Sequence, residues 1–322
     1  MKGAYTMELN KDFKVNVDWL NVRVDVPDPF DFFEAFSDVF NLADDELQPR
    51  TNGVAFYDVC FYIPSAGYSS VTFSYNNDDD GNFISDFSFG RPYGLLVSIS
   101  GDGCRYLNSL IPNGIYEFIK LCNQWNCHCT RIDIACDFLT PDNKVVPLIQ
   151  AFAMGYYTDR SIGLACNMSP DNLVKIDLNY DKKAGELLPN VTIGTRGSKK
   201  GQLQLYNKRV EMETGRLSDI SEQYYKDYGV TDYWWRMEYR CKSFAPVVFA
   251  NIMENGLMAG LLQAMQSFGR FYVSIYSYNS GMCSTSAEWQ EFYDFVAQNV
   301  MLLTVAEDSA TLRSDTSAVC GV

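Results

Sequence analysis

Residues 130–138 read TRIDIACDF, and the architecture of the chain follows from this stretch. On a β-strand the side chains alternate faces, so Arg131, Asp133, Ala135 and Asp137 share one side while Ile132, Ile134, Cys136 and Phe138 share the other. The apolar side is expected to pack into a core and the carboxylate side to open to a cleft or to solvent. Two carboxylates on one face suit a hard divalent cation; they also suit an edge strand that shows two acids to water.

Working outward, the neighbouring segments alternate between the same two periodicities. Residues 14–26 (KVNVDWLNVRVDV) have the period-2 pattern of a half-buried strand and are ended by Pro27 and Pro29. Phe32, Phe33, Phe36, Val39 and Phe40 stand at helical spacing within 31–42. Strands are expected at 54–63, 69–75 and 93–100, with the turn-forming run NNDDDGN at 76–82, and a helix at 115–122 leads into the opening strand. A second round follows in the same order. A helical segment at 143–155 precedes strands at 173–178, 191–195, 202–208 and 233–241, and helical patterns at 246–268 and 287–300 close the chain.

This order predicts an α+β fold, a largely antiparallel central sheet flanked by helices and built as a duplicated αβ unit. The expected organisation is one region over 1–245 with halves at about 1–140 and 141–245, a helical part over 246–306 and a frayed tail over 307–322.

The chain has 322 residues, 47% of them hydrophobic, which is ample for a core and excludes a disordered or fibrous chain. No apolar run approaches the ~18 residues that cross a bilayer, and the first residues lack the pattern of a secretion signal, so a cytoplasmic protein with no membrane association is expected. On that reading the ten cysteines are reduced thiols, mostly small core residues. His128 is the single histidine; it stands in CxxxxCHC, a spacing that lacks two separated CxxC pairs, so packing is expected there rather than zinc.

Net charge is −14, which excludes a generic polyanion binder, and residues 1–100 alone sum to −10. The charge is uneven, however. Between residues 182 and 216, Lys182, Lys183, Arg196, Lys199, Lys200, Lys208, Arg209 and Arg216 face only Glu186, Glu211 and Glu213, a local balance of +5. A solvated loop would explain this island as well as a polyanion contact would.

Three further motifs bear on chemistry. Residues 233–241 (YWWRMEYRC) place Arg236, Glu238 and Arg240 on one face, either as an ion-pair ladder between strands or as a phosphate site. Residues 194–211 (GTRGSKKGQLQLYNKRVE) align Gln204, Tyr206 and Lys208 along one strand face. A phenol has a pKa near ~10 and attacks phosphorus well only when a cation or metal stabilises its phenolate, and Lys208 is a candidate. Residues 101–105 (GDGCR) follow a strand and form either a phosphate-facing turn presenting amides and Arg105 or a tight hairpin turn. No GxxxxGK[ST] loop occurs.

In order and spacing these pieces resemble the replication initiation factor family: rolling-circle plasmid initiators and related relaxases of conjugative elements. The carrying motifs are VDWLNVRV, LLVSISGDGCRYL, TRIDIACDF, the Gly194 segment and WWRMEYR, spanning roughly residues 14 to 245. The resemblance implies a site-specific DNA nicking and strand-transfer enzyme in which Tyr206 retains the 5′-phosphate covalently. It implies Asp133, Asp137 and Glu238 as holders of Mg2+ or Mn2+. Charge neutralisation would come from Arg196, Lys208 or Arg236, and DNA contacts from Arg105, Arg131, Lys199, Lys200, Arg209 and Arg240. Its expected partners are origin DNA in single-stranded or cruciform form, a helicase of the host and a second copy of the chain. The rival reading is a non-catalytic DNA-binding or regulatory protein on the same fold. A hydrolase of small acidic substrates would use the carboxylates but leave the basic island unexplained.

Overall fold

A computed structural model describes residues 13–43, 46–50, 56–66, 70–85, 93–139, 162–165, 175–181, 186–193, 199, 201–214, 225, 233–272, 274–277, 293–294 and 296–298. The fold is α+β, an antiparallel sheet with flanking helices. The chain divides into two compact units: one comprises Val17–Ile134 with Arg240–Met253, the other Met1–Asn16, Ala135–Tyr239 and Glu254–Val322.

The unit containing Val17–Ile134 is built around strand β1 (Phe13–Asp25), whose buried residues Leu20, Val22 and Val24 alternate with partly exposed Trp19, Asn21 and Arg23. Asp28 caps the next helix, α1 (Pro29–Phe40), by accepting the Phe30 amide at 2.9 Å, and Pro29 supplies the preset φ of a first helical residue. Asn41, in the left-handed conformation with φ 51°, ends it. The apolar stripe of α1 is aromatic: Phe33 and Phe36 each lie 5.1 Å, centroid to centroid, from Phe73.

Phe73 belongs to β4 (Val71–Tyr75), which lies between β3 (Val59–Tyr62) and β5 (Leu95–Ile99); β5 pairs antiparallel with β1, Arg23 opposite Leu96. The short β2 (Gln48–Pro49) adds to β3. Asp78 accepts the amides of Asp80 and Asn82 in the expected turn, where Gly81 takes φ 85°.

Residues 101–105 form neither of the turns expected for them. They open helix α2 (Gly101–Leu110), capped by Ser100, and Arg105 is salt-bridged to Asp102 within the helix. The glycines serve packing: a Cβ on Gly103 would overlap the Ser70 carbonyl, and one on Gly114, at the start of α3 (Gly114–Gln124), would overlap that of Leu107. Helix α3 reaches α1 through Phe118, which lies 6.0 Å from Phe36.

Strand β6 (Asn126–Phe138) contains the TRIDIACDF stretch and contributes to both units. In the second unit it is followed by β8 (Lys175–Asp181), β9 (Glu186–Ile193), β10 (Gly201–Asn207), a short helix α4 (Lys208–Thr214) and β11 (Trp235–Cys241). The hydrogen-bonded order is β6-β11-β10-β9-β8, so the last strand of the series returns beside the first. In the other unit the order β3-β4-β5-β1 does the same, β5 returning beside β1. A separate pair joins β7 (Ile162–Ala165) to β12 (Ser274–Ser277).

Two expectations need correction. The carboxylate side of β6 is not open, because residues 132–138 are all buried on both faces. Residues 245–267, within α5 (Ala245–Tyr272), have the length and apolar composition to cross a bilayer, with a mean hydropathy of 1.3. Gly256, at φ 80° and ψ 179°, interrupts the helix, and Val248, Phe249 and Ile252 before it and Leu261, Ala264 and Met265 after it are buried. The expected helix at 143–155 and the tail at 307–322 lie outside the described residues.

The seven cysteines among the described residues are free thiols, six of them buried. Burial pushes those of Cys104, Cys122, Cys136 and Cys241 well above the ordinary thiol range. His128 is exposed, which corrects its expected role in packing.

Replacing Gly103 with Ala forces a methyl into the Ser70 backbone, which cannot swing aside. A loss of about 1–3 kcal/mol is expected, read as a lower urea midpoint with an unchanged m-value.

Candidate functional site

In the unit containing Ala135–Tyr239, strands β6, β11 and β10 lie side by side, so residues far apart in sequence meet on one face. Asp137, fully buried on β6, receives Arg236 of β11 through Nε at 2.7 Å and Nη2 at 2.9 Å. Trp234 Nε1 donates to the same carboxylate at 2.8 Å and Asn16 Nδ2 at 3.1 Å. A buried carboxylate is tolerated when an opposite charge and further donors satisfy it, and here four hydrogen bonds do so. Arg236, 1% exposed, is thereby engaged inside the protein.

Two residues along β11 from Arg236, Glu238 is also buried, and its Oε2 accepts the Tyr206 hydroxyl at 3.0 Å. Tyr206 is partly exposed near the end of β10. The strand stops one residue later, so Lys208 does not continue the strand face as expected; it begins α4, whose Val210 amide is capped by Asn207 Oδ1 at 3.1 Å. Lys208 Nζ is salt-bridged to Glu211 and lies 5.8 Å from the centre of the Tyr206 ring. Its backbone amide donates to the Trp234 carbonyl at 3.0 Å. Trp234 therefore joins the Asp137 cluster to the junction that carries Tyr206.

The basic island is partly neutralised within α4, where Arg209 pairs with Glu213 at 2.9 Å. Lys199 is exposed. Arg196 and Lys200 lie outside the described residues.

Asp133 and Arg131 belong to the other unit. Arg131 donates through Nε to Asp133 Oδ1 at 3.0 Å and through Nη2 to Oδ2, and Arg240 Nε stands 3.8 Å from Oδ2. Arg240 of β11 thus pairs with a carboxylate of β6. Trp19, with Arg131 4.4 Å over its ring, and the partners Asn16 and Trp234 were missed, because alternation along one strand does not show what its neighbour places opposite.

The three carboxylates expected to share a metal are each committed elsewhere: Asp137 to Arg236, Asp133 to Arg131 and Arg240, Glu238 to Tyr206. Among the described residues no three His, Cys, Asp or Glu side chains converge as a metal-ligand set.

No protein-family model matches the chain, and no curated protein sequence matches it significantly. Among solved structures, the fold is similar to that of a rolling circle replication initiator protein from Geobacillus stearothermophilus, with a TM-score of 0.62 and 20% identity over 88% of this chain and 96% of that one. What the two share is the fold. The likeness agrees at that level with the family resemblance of the sequence motifs.

Asp137→Ala strands the buried Arg236 charge and is expected to cost about 3–5 kcal/mol, lowering the thermal midpoint by on the order of 10 °C. Calorimetry checks this. The double variant Asp137→Leu/Arg236→Met, which removes both charges, is expected to recover most of the loss.

Proposed function

We propose that this protein initiates rolling-circle replication or conjugative transfer by nicking DNA with Tyr206 and rejoining the strand. The observation that carries the reading is the 3.0 Å hydrogen bond from the Tyr206 hydroxyl to buried Glu238. A weakly acidic phenol becomes a nucleophile when an adjacent base accepts its proton during attack, and Glu238 is within reach to do so.

In the proposed step Tyr206 Oη attacks a backbone phosphorus and its proton passes to Glu238. The bond from phosphorus to the 3′ oxygen breaks, and that oxygen takes up a proton from water to leave as a 3′-hydroxyl while the 5′-phosphate stays on the tyrosine. The phosphotyrosyl ester conserves the bond, so attack by a 3′-hydroxyl reverses the step without a nucleotide. Lys208, beside the ring, stabilises developing phenolate charge, and Arg196 and Lys199 are proposed to meet the phosphates. Arg236 positions the site through Asp137 rather than touching DNA.

Supercoiled DNA carrying the gene and its flanks is incubated with purified protein, with and without Mn2+ or Mg2+, and the products are separated under denaturing conditions. Relaxation and a covalent adduct mapping to Tyr206 are expected; an adduct on another residue would sink the site assignment. Tyr206→Phe should abolish the adduct while retaining DNA binding, and Glu238→Gln should slow nicking about 10²–10⁴-fold. DNA binding by the wild type with no nicking under any metal would favour the regulatory reading.

A further inference from the structure

Trp234 stands one residue before β11 and is 1% exposed. Side chains alternate along a strand, so Trp234, Arg236 and Glu238 point to one side. Arg236 and Glu238 have roles on that side, in the Asp137 ion pair and in the bond to Tyr206. Trp234 is held at both of its ends. Its indole Nε1 donates to Asp137 Oδ1 at 2.8 Å, and its carbonyl accepts the Lys208 amide at 3.0 Å and the Arg209 amide at 3.4 Å.

Those two amides open α4, and a helix leaves its first N–H groups without intrahelical acceptors. The Trp234 carbonyl takes two of them, and Asn207 Oδ1 takes the Val210 amide at 3.1 Å. The turn that follows Tyr206 is therefore fastened to Trp234. Packing holds the indole as well. Trp234 clusters with Leu139, Met212 and Tyr225, and the Tyr225 ring meets it edge-on with centroids 6.3 Å apart. The Tyr225 hydroxyl in turn donates to the Arg209 carbonyl at 3.4 Å, so α4 is tied to this cluster from a second side.

We infer that Trp234 is a positioning residue for Tyr206: the indole bond to Asp137 fixes the tryptophan, its carbonyl fixes where the chain leaves β10, and that exit holds the phenol against Glu238. The inference rests on the nicking reading for what Tyr206 does. Packing alone would ask only for an apolar ring at 234 and would be indifferent to the N–H. Two features go beyond packing. The N–H is directed at the carboxylate that also anchors Arg236, and the carbonyl accepts two amides of the segment that follows the tyrosine. A displacement of about 1 Å at a reacting group costs on the order of 10²-fold in rate, so the turn that sets the phenol beside its base has a measurable effect.

The test uses the full chain with 3-fluorotyrosine at position 206, whose fluorine resonance reports the surroundings of the phenol whether or not the protein nicks. Glu238→Gln removes the carboxylate charge beside the hydroxyl and shows that the resonance senses this contact. Trp234→Phe keeps a ring and loses the N–H. Its resonance is expected to leave the wild-type position, and its nicking kcat on supercoiled DNA to fall about 10- to 100-fold with KM within about two-fold. Gly103→Ala, destabilised in the other unit, controls for lost stability and is expected to keep the wild-type resonance and kcat. β-(3-Benzothienyl)alanine at 234, which exchanges the indole N–H for sulfur at nearly the same shape, should act as Trp234→Phe does, and it serves if that variant does not fold by circular dichroism. An unmoved resonance in either folded variant, an undiminished kcat where the wild type nicks, or the same change in Gly103→Ala would overturn the inference. The two claims fail separately: a moved resonance without nicking by the wild type defeats the catalytic reading alone, and nicking by the wild type with an unmoved resonance in the variants defeats the role of Trp234 alone.

Discussion

The buried Asp137 carboxylate is the constraint around which the unit that carries Tyr206 is arranged. Its four donors come from Asn16 on β1, Trp234 at the mouth of β11 and both ends of the Arg236 fork, so one side chain ties three strands at a fixed register. A slip of one residue would turn Asp137 or Arg236 to the wrong face and leave a charge buried without its partner. The apolar residues around the pair would tolerate such a slip far better than the ions do. Register here is therefore set by electrostatics inside a core that hydrophobic burial alone would leave less specified.

The same economy recurs elsewhere in a chain of net charge −14. Asp133 holds Arg131, and Asp25 holds Arg23. Acidic residues that would repel a polyanion at long range are, at these positions, spent on orienting guanidiniums.

The periodicity of 130–138 and 233–241 was legible because parity is a local property: the residues that share a strand face can be counted. What parity cannot tell is which surface that face meets. TRIDIACDF reads as an apolar side and an open side, yet residues 132–138 are buried on both, because Arg236, which neutralises Asp137, stands 99 residues further on in β11, and Arg131 of the same strand folds onto Asp133. The charges were visible in RMEYR; their pairing needed the strand order. GDGCR misled for a related reason. Its glycines suggested a turn, whereas Gly103 is required by the closeness of the Ser70 backbone, a tertiary fact. Tyr206 and Glu238 could be singled out from their motifs, but not the direct bond between them, which depends on β10 and β11 being neighbours.

That bond also depends on how β10 ends. Asn207 caps α4, and the Lys208 and Arg209 amides both donate to the Trp234 carbonyl, at 3.0 and 3.4 Å. The chain must leave the sheet immediately after Tyr206, which places the phenol at a strand end, where its ring is partly exposed, instead of within the closed part of the strand. Trp234 serves both sides of the arrangement: its indole N–H is held by Asp137, and its carbonyl holds the turn after the tyrosine. A change at Asp137 therefore reaches Tyr206 through one residue, without touching either the phenol or Glu238. On the reading proposed above, the interaction that fixes the strands also supplies the rigidity that a nucleophile needs relative to its base.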